Sequence, residues 1–451
     1  MPTLLARNAR VLAVMDDAGT EIPDGGLFCR DGVIEQVGPS AALPQIADEI
    51  VDLTDHVVIP GLVNTHHHLC QNLTRAVPAA QNAPLFGWLQ TLYPIWQRMG
   101  PDHIRISALV GLAELALSGA TTSSDHLYLF PNGSRLDDQI EAAVELGFRF
   151  HATRGAMSIG ESQGGLPPDS LTEDEDFILE DSIRVIESFH DPDPMAMVRV
   201  AVAPCSPFTV SQDLMRQSAI LARQYGVRLH THLAENVEDI DYSLERFGMR
   251  PGEYIEDAGW AGEDVWHAHC VRLDESEAAL FARTGTGIAH CPGSNMRLAS
   301  GIAPLRAWLD AGVRVGLGVD GSASNDDAHL LTEARQAMLL QRVGGNAAEL
   351  TAREALRIGT RGGASVLGRD DIGSLEPGKA ADFAAYDLNE PGMAGTDWDP
   401  LAALVFCKPS RAAWTVIAGR PVVREGRIAT VDMVRALAEH RRLTRELIDG
   451  T

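Results

Sequence analysis

Apolar and polar positions along this chain follow two rhythms. Over residues 3–13 they alternate, which is the period of a half-buried strand. Asp16-Asp17-Ala18-Gly19 reads as a turn, and residues 26–37 read as a hairpin around Asp31-Gly32. From about residue 56 the pattern changes, and short β-rich runs alternate with long amphipathic segments. The runs are 57–64, 121–127, 148–155, 198–204, 227–232, 265–271, 287–291 and 313–319. Between them lie helix-like stretches such as 104–118, 137–146, 213–225 and 305–311. Eight strand–helix units predict an α/β fold, a (β/α)8 TIM-type barrel. After residue 368 strands return at 381–387, 414–418, 421–424 and 427–430, and 434–448 reads as a closing helix. The expected organisation is a barrel over 56–368, with a small β-sandwich domain built from both termini, 1–55 and 369–451.

Composition narrows the class. The chain has 451 residues, 45% hydrophobic, ample for a large buried core. Its formal net charge of -25 disfavours nucleic acid and anionic membrane as partners. No stretch approaches about 20 uninterrupted apolar residues, so no membrane span is expected. Six scattered cysteines form no CxxC pair, which suits a reducing cytoplasm. Met1-Pro2-Thr3 runs directly into strand-like sequence without a leader pattern. Of the 37 basic residues only Lys379 and Lys408 are lysine.

Barrel active sites sit at the C-terminal ends of the strands, so the polar residues there are the candidates. The first run leads into Asn64-Thr65-His66-His67-His68. Alternate side chains of a strand share a face, which pairs His66 with His68 and turns His67 away as a structural residue. The fifth run ends in His230-Thr231-His232-Leu233-Ala234-Glu235, the sixth in His267-Ala268-His269, and the eighth leads to Asp320. His230 and His267 lie two residues earlier on their strands and are expected in the core or behind the site. Histidines and carboxylates at four of eight strand ends suit a mononuclear metal-hydrolase site.

These residues resemble the amidohydrolase superfamily, in its cytosine-deaminase-like and chlorohydrolase-like branch. The resemblance rests on Pro60-Gly61-Leu62-Val63-Asn64-Thr65-His66-His67-His68, on His232–Glu235, and on the His269 and Asp320 strand ends, and it covers nearly the whole chain. It implies that His66, His68 and His232 are metal ligands, with Asp320 the fourth. It makes Glu235 the proton shuttle, and His269 the hydrogen-bond partner of the bound water or the substrate. Asp320, touching both metal and water, would take the water's proton. The resulting hydroxide would attack an amine-bearing ring carbon while Glu235 protonates the neighbouring ring nitrogen. Binuclear relatives bridge two metals through a carbamylated lysine on the fourth strand. Residues 1–378 contain no lysine, and strand 4 reads Val200-Ala201-Val202-Ala203-Pro204-Cys205. One metal is therefore expected, Zn2+ first, with Fe2+ or Mn2+ compatible with the same donors.

Further stretches resemble one group of this branch, enzymes that deaminate 8-oxoguanine to urate and ammonia. They are Leu85–Pro94, residues 153–168, His290–Gly301 and Gly321–Asp326. For the substrate, Gln71 offers a carboxamide that both donates and accepts. Trp88 offers a stacking face, or core packing of an insertion helix. Asp125 and His126 close strand 2, and Arg154 closes strand 3 unless acidic neighbours take it. Cys205 lines the pocket or simply packs. The rivals are s-triazine amino- or chlorohydrolases, some of which lack the acid at the Glu235 position, and deaminases of isocytosine or other nucleobases. A non-catalytic scaffold would be expected to lose ligands, and all are present. The HxE…PCxxC motif of another zinc deaminase class is absent. The resemblance also implies a homo-oligomer.

Overall fold

A computed structural model describes residues 1–407 and 409–450. Eight parallel strands close into a barrel: Leu62–Asn64, Ala120–Leu127, Arg149–Ala156, Val198–Pro204, Arg228–Leu233, Val265–His269, Gly287–His290 and Arg314–Leu317. The ring is closed by Leu317 pairing with Asn64. Helices such as Pro101–Leu117, Leu136–Leu146, Gln212–Tyr225 and Leu305–Ala311 cover its outside. All eight expected runs are present, and strands and helices alternate as the apolar period requires.

The first run departs from expectation. It breaks at Pro60-Gly61 into His56–Pro60 and Leu62–Asn64. A Cβ at Gly61 would lie 2.0 Å from Thr121 Oγ1, so only glycine permits this crossing. Residues 62–64 join the barrel, whereas His56–Pro60 belongs to the flanking sheet.

That sheet has nine strands drawn from both ends of the chain. His56–Pro60 pairs antiparallel with Phe383–Asp387, joining the N-terminal to the C-terminal strands. The hairpin turn at Asp31 and Gly32 has φ of 50° and 77°, as a two-residue turn between twisted strands requires. His56–Pro60 also shows why two cores form. Val57 and Ile59 enter the barrel's apolar cluster, while Val58 enters a separate cluster with Leu12, Leu27, Ile34, Phe383 and Val416. A period of two divides one strand between two layers.

At the N-terminal end of the barrel, Arg314, Arg228 and Arg199 donate to the carbonyls of Ser365, Val366 and Gly368 at 3.1, 3.2 and 3.3 Å. The first two of these carbonyls end the short helix Gly363–Val366, where cations are favoured. The closing helix Met433–Asp449 packs on Pro101–Leu117 through Ala436, Leu443 and Leu447. No described helix is long and apolar enough to cross a membrane.

Candidate active site

The candidate residues meet at the C-terminal mouth of the barrel. His67–His68 lies just beyond the first barrel strand and forms a two-stranded ladder with Asp320–Gly321, Asp320 facing His67. This ladder brings the HxH segment and Asp320 together. Ala234, His269, Cys270 and Asp320 have φ of 49°, 68°, 55° and 59°. Left-handed backbone in non-glycine residues costs about 1–3 kcal/mol each and clusters at functional sites. Here Ala234 directly follows barrel strand 5, His269 and Cys270 close barrel strand 6, and Asp320 opens the short ladder beyond barrel strand 8.

Three imidazoles are set in one tautomer by their outer neighbours. His68 Nδ1–H donates to the carbonyl of His126 at 2.7 Å. His232 Nδ1–H donates to the carbonyl of Cys205 at 2.6 Å. His66 is set through a relay: His230 Nδ1–H donates to the Trp266 carbonyl at 3.0 Å, leaving its Nε2 to accept from His66 Nδ1–H at 2.8 Å. Burial holds all of these rings below the ordinary histidine value, His232 down to about 3. Each of the three therefore presents a bare Nε2 lone pair.

Those lone pairs converge with Asp320. His68 Nε2 and His232 Nε2 are 3.1 Å apart. Asp320 Oδ1 lies 3.2 Å from His66 Nε2 and 3.3 Å from His68 Nε2. Neither His66 Nε2 nor Asp320 Oδ1 has a hydrogen-bond partner, although both are buried. Converging lone pairs repel unless a cation separates them. Tetrahedral ligands at about 2.0–2.1 Å from zinc stand roughly 3.3–3.4 Å apart, so spacing and donor set both fit one divalent ion. Asp320 Oδ2 instead accepts from the hydroxyls of Ser294 and Ser324.

Beside this cluster lie Glu235 and His269, with His269 Nε2 3.6 Å from Glu235 Oε2. Glu235 Oε1 accepts from Ser300 Oγ at 3.1 Å. Burial raises Glu235 above the ordinary carboxyl value. Burial opposes the charged form of His269 too, but the charges of Glu235 and Asp320 outweigh it and raise its pKa. His269 Nδ1–H donates to Asn295 Oδ1 at 3.0 Å, which fixes the ring.

His68, His232, Glu235, His269 and Asp320 line a cavity at the barrel mouth. Gln71, Trp88 and Cys205 also line it, as the sequence suggested. Gln71 Oε1 has no hydrogen-bond partner. Trp88 Nε1–H donates to the Ala323 carbonyl at 3.1 Å, so its ring is both anchored and on the wall. Cys205 acts on His232 through its carbonyl.

Two expected substrate contacts are corrected. Arg154 does not line the cavity: it pairs with Glu173 at 2.9 Å and Asp181 at 2.7 Å and lies over Phe130. His126 lies against His68 and His232, its Nε2–H donating to the Ala203 carbonyl at 2.8 Å. It stacks on His232 with centroids 4.8 Å apart, and His232 lines the cavity while His126 does not. Asp125 is likewise buried away from the cavity, accepting from the Leu69 N–H at 2.6 Å. His67 turns away, its Nδ1 accepting from the His68 N–H. His267 donates to or accepts from nothing in the mouth and bonds the Trp260 carbonyl.

Sequence reading missed Tyr93, Tyr128, Phe208 and Asp239 on the cavity wall. It also missed the tasks of Ser294, Asn295, Ser300 and Ser324. The seryl and asparaginyl groups sit in the resembling stretches 290–301 and 321–326, which was a usable signal. Tyr128 directly follows the His126 strand end. Phe208 and Asp239 had no local signal.

A (β/α)8 barrel carrying three histidines and an aspartate at its mouth, with a glutamate and a histidine beside them, defines a metal-dependent hydrolase. The chain belongs to the amidohydrolase family, whose pattern matches residues 57–422. It is 46% identical over 429 residues to the 8-oxoguanine deaminase of Pseudomonas aeruginosa, covering 94% of this chain and 95% of that one. It is 37% identical to an isoxanthopterin deaminase from an unidentified prokaryote, covering 99% and 98%. The structure is similar to that of an atrazine chlorohydrolase from Arthrobacter aurescens in complex with zinc, with a TM-score of 0.93, 36% identity, and 98% and 100% of the two chains covered.

Proposed function

We propose that this protein is a zinc-dependent deaminase of an aminopurine, converting 8-oxoguanine and water to urate and ammonia. The observation that carries the reaction class is Glu235 placed beside His269 and the three-histidine, one-aspartate cluster, in a cavity with an aromatic wall. The likeness to the Pseudomonas aeruginosa deaminase supports the substrate.

His66, His68, His232 and Asp320 would hold the ion. A divalent ion bound there would supply a water acidified toward a pKa of about 7, a nucleophile near neutral pH. Asp320 would take a proton from the attacking water, its carboxylate fixed through Oδ2 by Ser294 and Ser324. His269, held by Asn295, orients the water's oxygen toward C2 of the purine. Glu235 delivers a proton to the ring nitrogen beside C2, which takes up the electron pair of the breaking π bond. The remaining proton of the attacking oxygen passes through the Glu235 carboxylate to the amino group, the C–N bond breaks as the C2 carbonyl forms, ammonia leaves, and the proton taken by Asp320 returns to Glu235. Burial raises the Glu235 pKa, so it carries a proton closer to neutral pH than an exposed carboxyl does. Gln71 presents a carboxamide to the purine edge, and Trp88 its indole face.

The structural likeness to the atrazine chlorohydrolase supports a second reading, hydrolysis of an amino- or chloro-triazine by the same residues. The test is ammonia release by the zinc-loaded protein from 8-oxoguanine, guanine, isocytosine, adenosine and amino-triazines, with chloride release followed for chloro-triazines. The expected result is fast turnover of 8-oxoguanine with urate absorbance rising in step. Silence on the purines with activity on a triazine would keep the site chemistry and replace the substrate.

A further inference from the structure

Glu333 has no part in the chemistry above, yet it is wholly buried. It sits on the helix Leu330–Arg342 that follows the last barrel strand. Its Oε2 accepts from the Gly293 N–H at 2.8 Å, and its Oε1 from Asn325 Nδ2 at 2.9 Å. Asn325 Nδ2 also reaches the Val319 carbonyl at 2.7 Å, one residue before Asp320. One carboxyl thus ties the loop after barrel strand 7 to the loop after barrel strand 8.

The residues next to its two contacts are the ones that hold the reacting groups. Gly293 is followed by Ser294, whose hydroxyl donates to Asp320 Oδ2, and by Asn295, which accepts from His269 Nδ1–H at 3.0 Å. Asn325 follows Ser324, whose hydroxyl donates to the same Asp320 oxygen at 2.8 Å. The fit is close: a Cβ on Gly293 would stand 2.5 Å from Glu333 Oε1 and 2.8 Å from Asn325 Oδ1. A buried carboxyl held only by amide donors is an expensive way to join two loops, since burying it costs several kcal/mol unless every oxygen is satisfied. An apolar side chain could fill the space but could not fix the direction of two N–H groups.

We propose that Glu333 is a positioning residue that locks the loops after barrel strands 7 and 8 together, and so sets Asp320 Oδ2 and the His269 ring in their working orientation. This rests on the assignment of Asp320 and His269 made above, though not on which ring is the substrate. Removing Glu333 frees Ser294, Asn295 and Ser324 together, so Asp320 swings and holds a metal less well. Groups that orient metal ligands change affinity or activity by about 10–100-fold when removed.

The test compares Glu333→Ala and Glu333→Gln with wild type in the zinc-loaded protein. Two readouts are taken: the rate at which zinc is lost to a chelator, and kcat and KM on whichever ring is turned over fastest. Zinc loss does not depend on the substrate, so an error in the substrate assignment leaves this arm intact. Glu333→Ala is expected to lose zinc at least about 10-fold faster and to drop kcat by about 30-fold or more, with KM within about 3-fold. Glu333→Gln keeps the size but offers one acceptor oxygen where the Gly293 N–H and Asn325 Nδ2 need two, so it is expected to fall between wild type and Glu333→Ala on both readouts. A folded Glu333→Ala with wild-type zinc retention and kcat would overturn the proposal. So would equal losses of thermal stability in both variants with normal kcat per bound zinc. Should Glu333→Ala fail to fold, Asn325→Asp decides. It keeps the shape but removes the amide donor facing Glu333, and wild-type behaviour there would equally overturn the proposal.

Discussion

Each of the three histidines proposed to hold the ion is oriented by a hydrogen bond on the side away from the point where their Nε2 atoms converge. The His126 and Cys205 carbonyls set His68 and His232, and His230 relays the Trp266 carbonyl to His66. A carbonyl can only accept, so the proton must sit on Nδ1 and the lone pair on Nε2. Glu235 is a different case, a buried acid with one oxygen on Ser300 and the other toward His269. Glu235→Gln keeps its size and the Ser300 contact but cannot move a proton. We expect kcat to fall by about 10²–10⁴-fold with zinc content unchanged, measured by ammonia release and metal analysis on the same sample. Asp320→Asn should abolish turnover and also lose zinc. Near wild-type turnover in Glu235→Gln would remove the proton-shuttle role.

At the scale of elements, the ends of strands decide what the site contains. Barrel strand 3 ends in an arginine that looked available to substrate, but the loop and helix after it carry Glu173 and Asp181, and both pair with Arg154. Arg154→Met should therefore destabilise the fold by about 3 kcal/mol, because the largely buried Glu173 loses its counter-charge and Asp181 keeps only Arg184, at 2.7 Å. KM of the folded protein should change less than about 3-fold. Urea midpoints and steady-state kinetics check this, and a large rise in KM with normal stability would return Arg154 to the substrate. The same scale explains the divided first strand. Gly61 has no side chain to meet Thr121, so the chain passes from one sheet into the other within a residue.

For the whole molecule, the flanking sheet and the barrel are joined by buried ion pairs as well as by apolar packing. Arg149, at the start of barrel strand 3, pairs with Asp382 at 2.8 Å and donates to the carbonyls of Met195 and Ala196. Asp371 pairs with Arg369 at 2.7 Å and accepts from the Met195 N–H at 2.7 Å. Burial pushes Asp371 up, but the hydrogen bonds and charge of Arg369 outweigh it and bring it from 3.8 down to about 2. A depressed carboxyl adds stability above its unfolded pKa and loses it as pH falls through the folded value. Asp371→Asn should therefore cost about 2 kcal/mol at pH 7, at 1.36 kcal/mol per pKa unit. The gap to wild type should close as pH falls from 4 toward 2. Urea midpoints across that range test it, and a gap independent of pH would assign the loss to packing alone.

Periodicity alone determined the eight-stranded barrel, the strands at both ends and the closing helix, because period 2 and period 3.6 are local properties of the chain. The spacing of polar residues at strand ends also marked His66, His68, His232, Glu235, His269 and Asp320, because a barrel brings all strand ends to one face. Arg154 and His126 had the same credentials in sequence, and only the fold removed them, one by pairing it with distant acids and the other by stacking it on His232. The joining of His56–Pro60 to Phe383–Asp387, and the grip of Ser294 on Asp320 Oδ2, are contacts between residues far apart in the chain. No local period encodes such contacts, so the tertiary structure alone decided them.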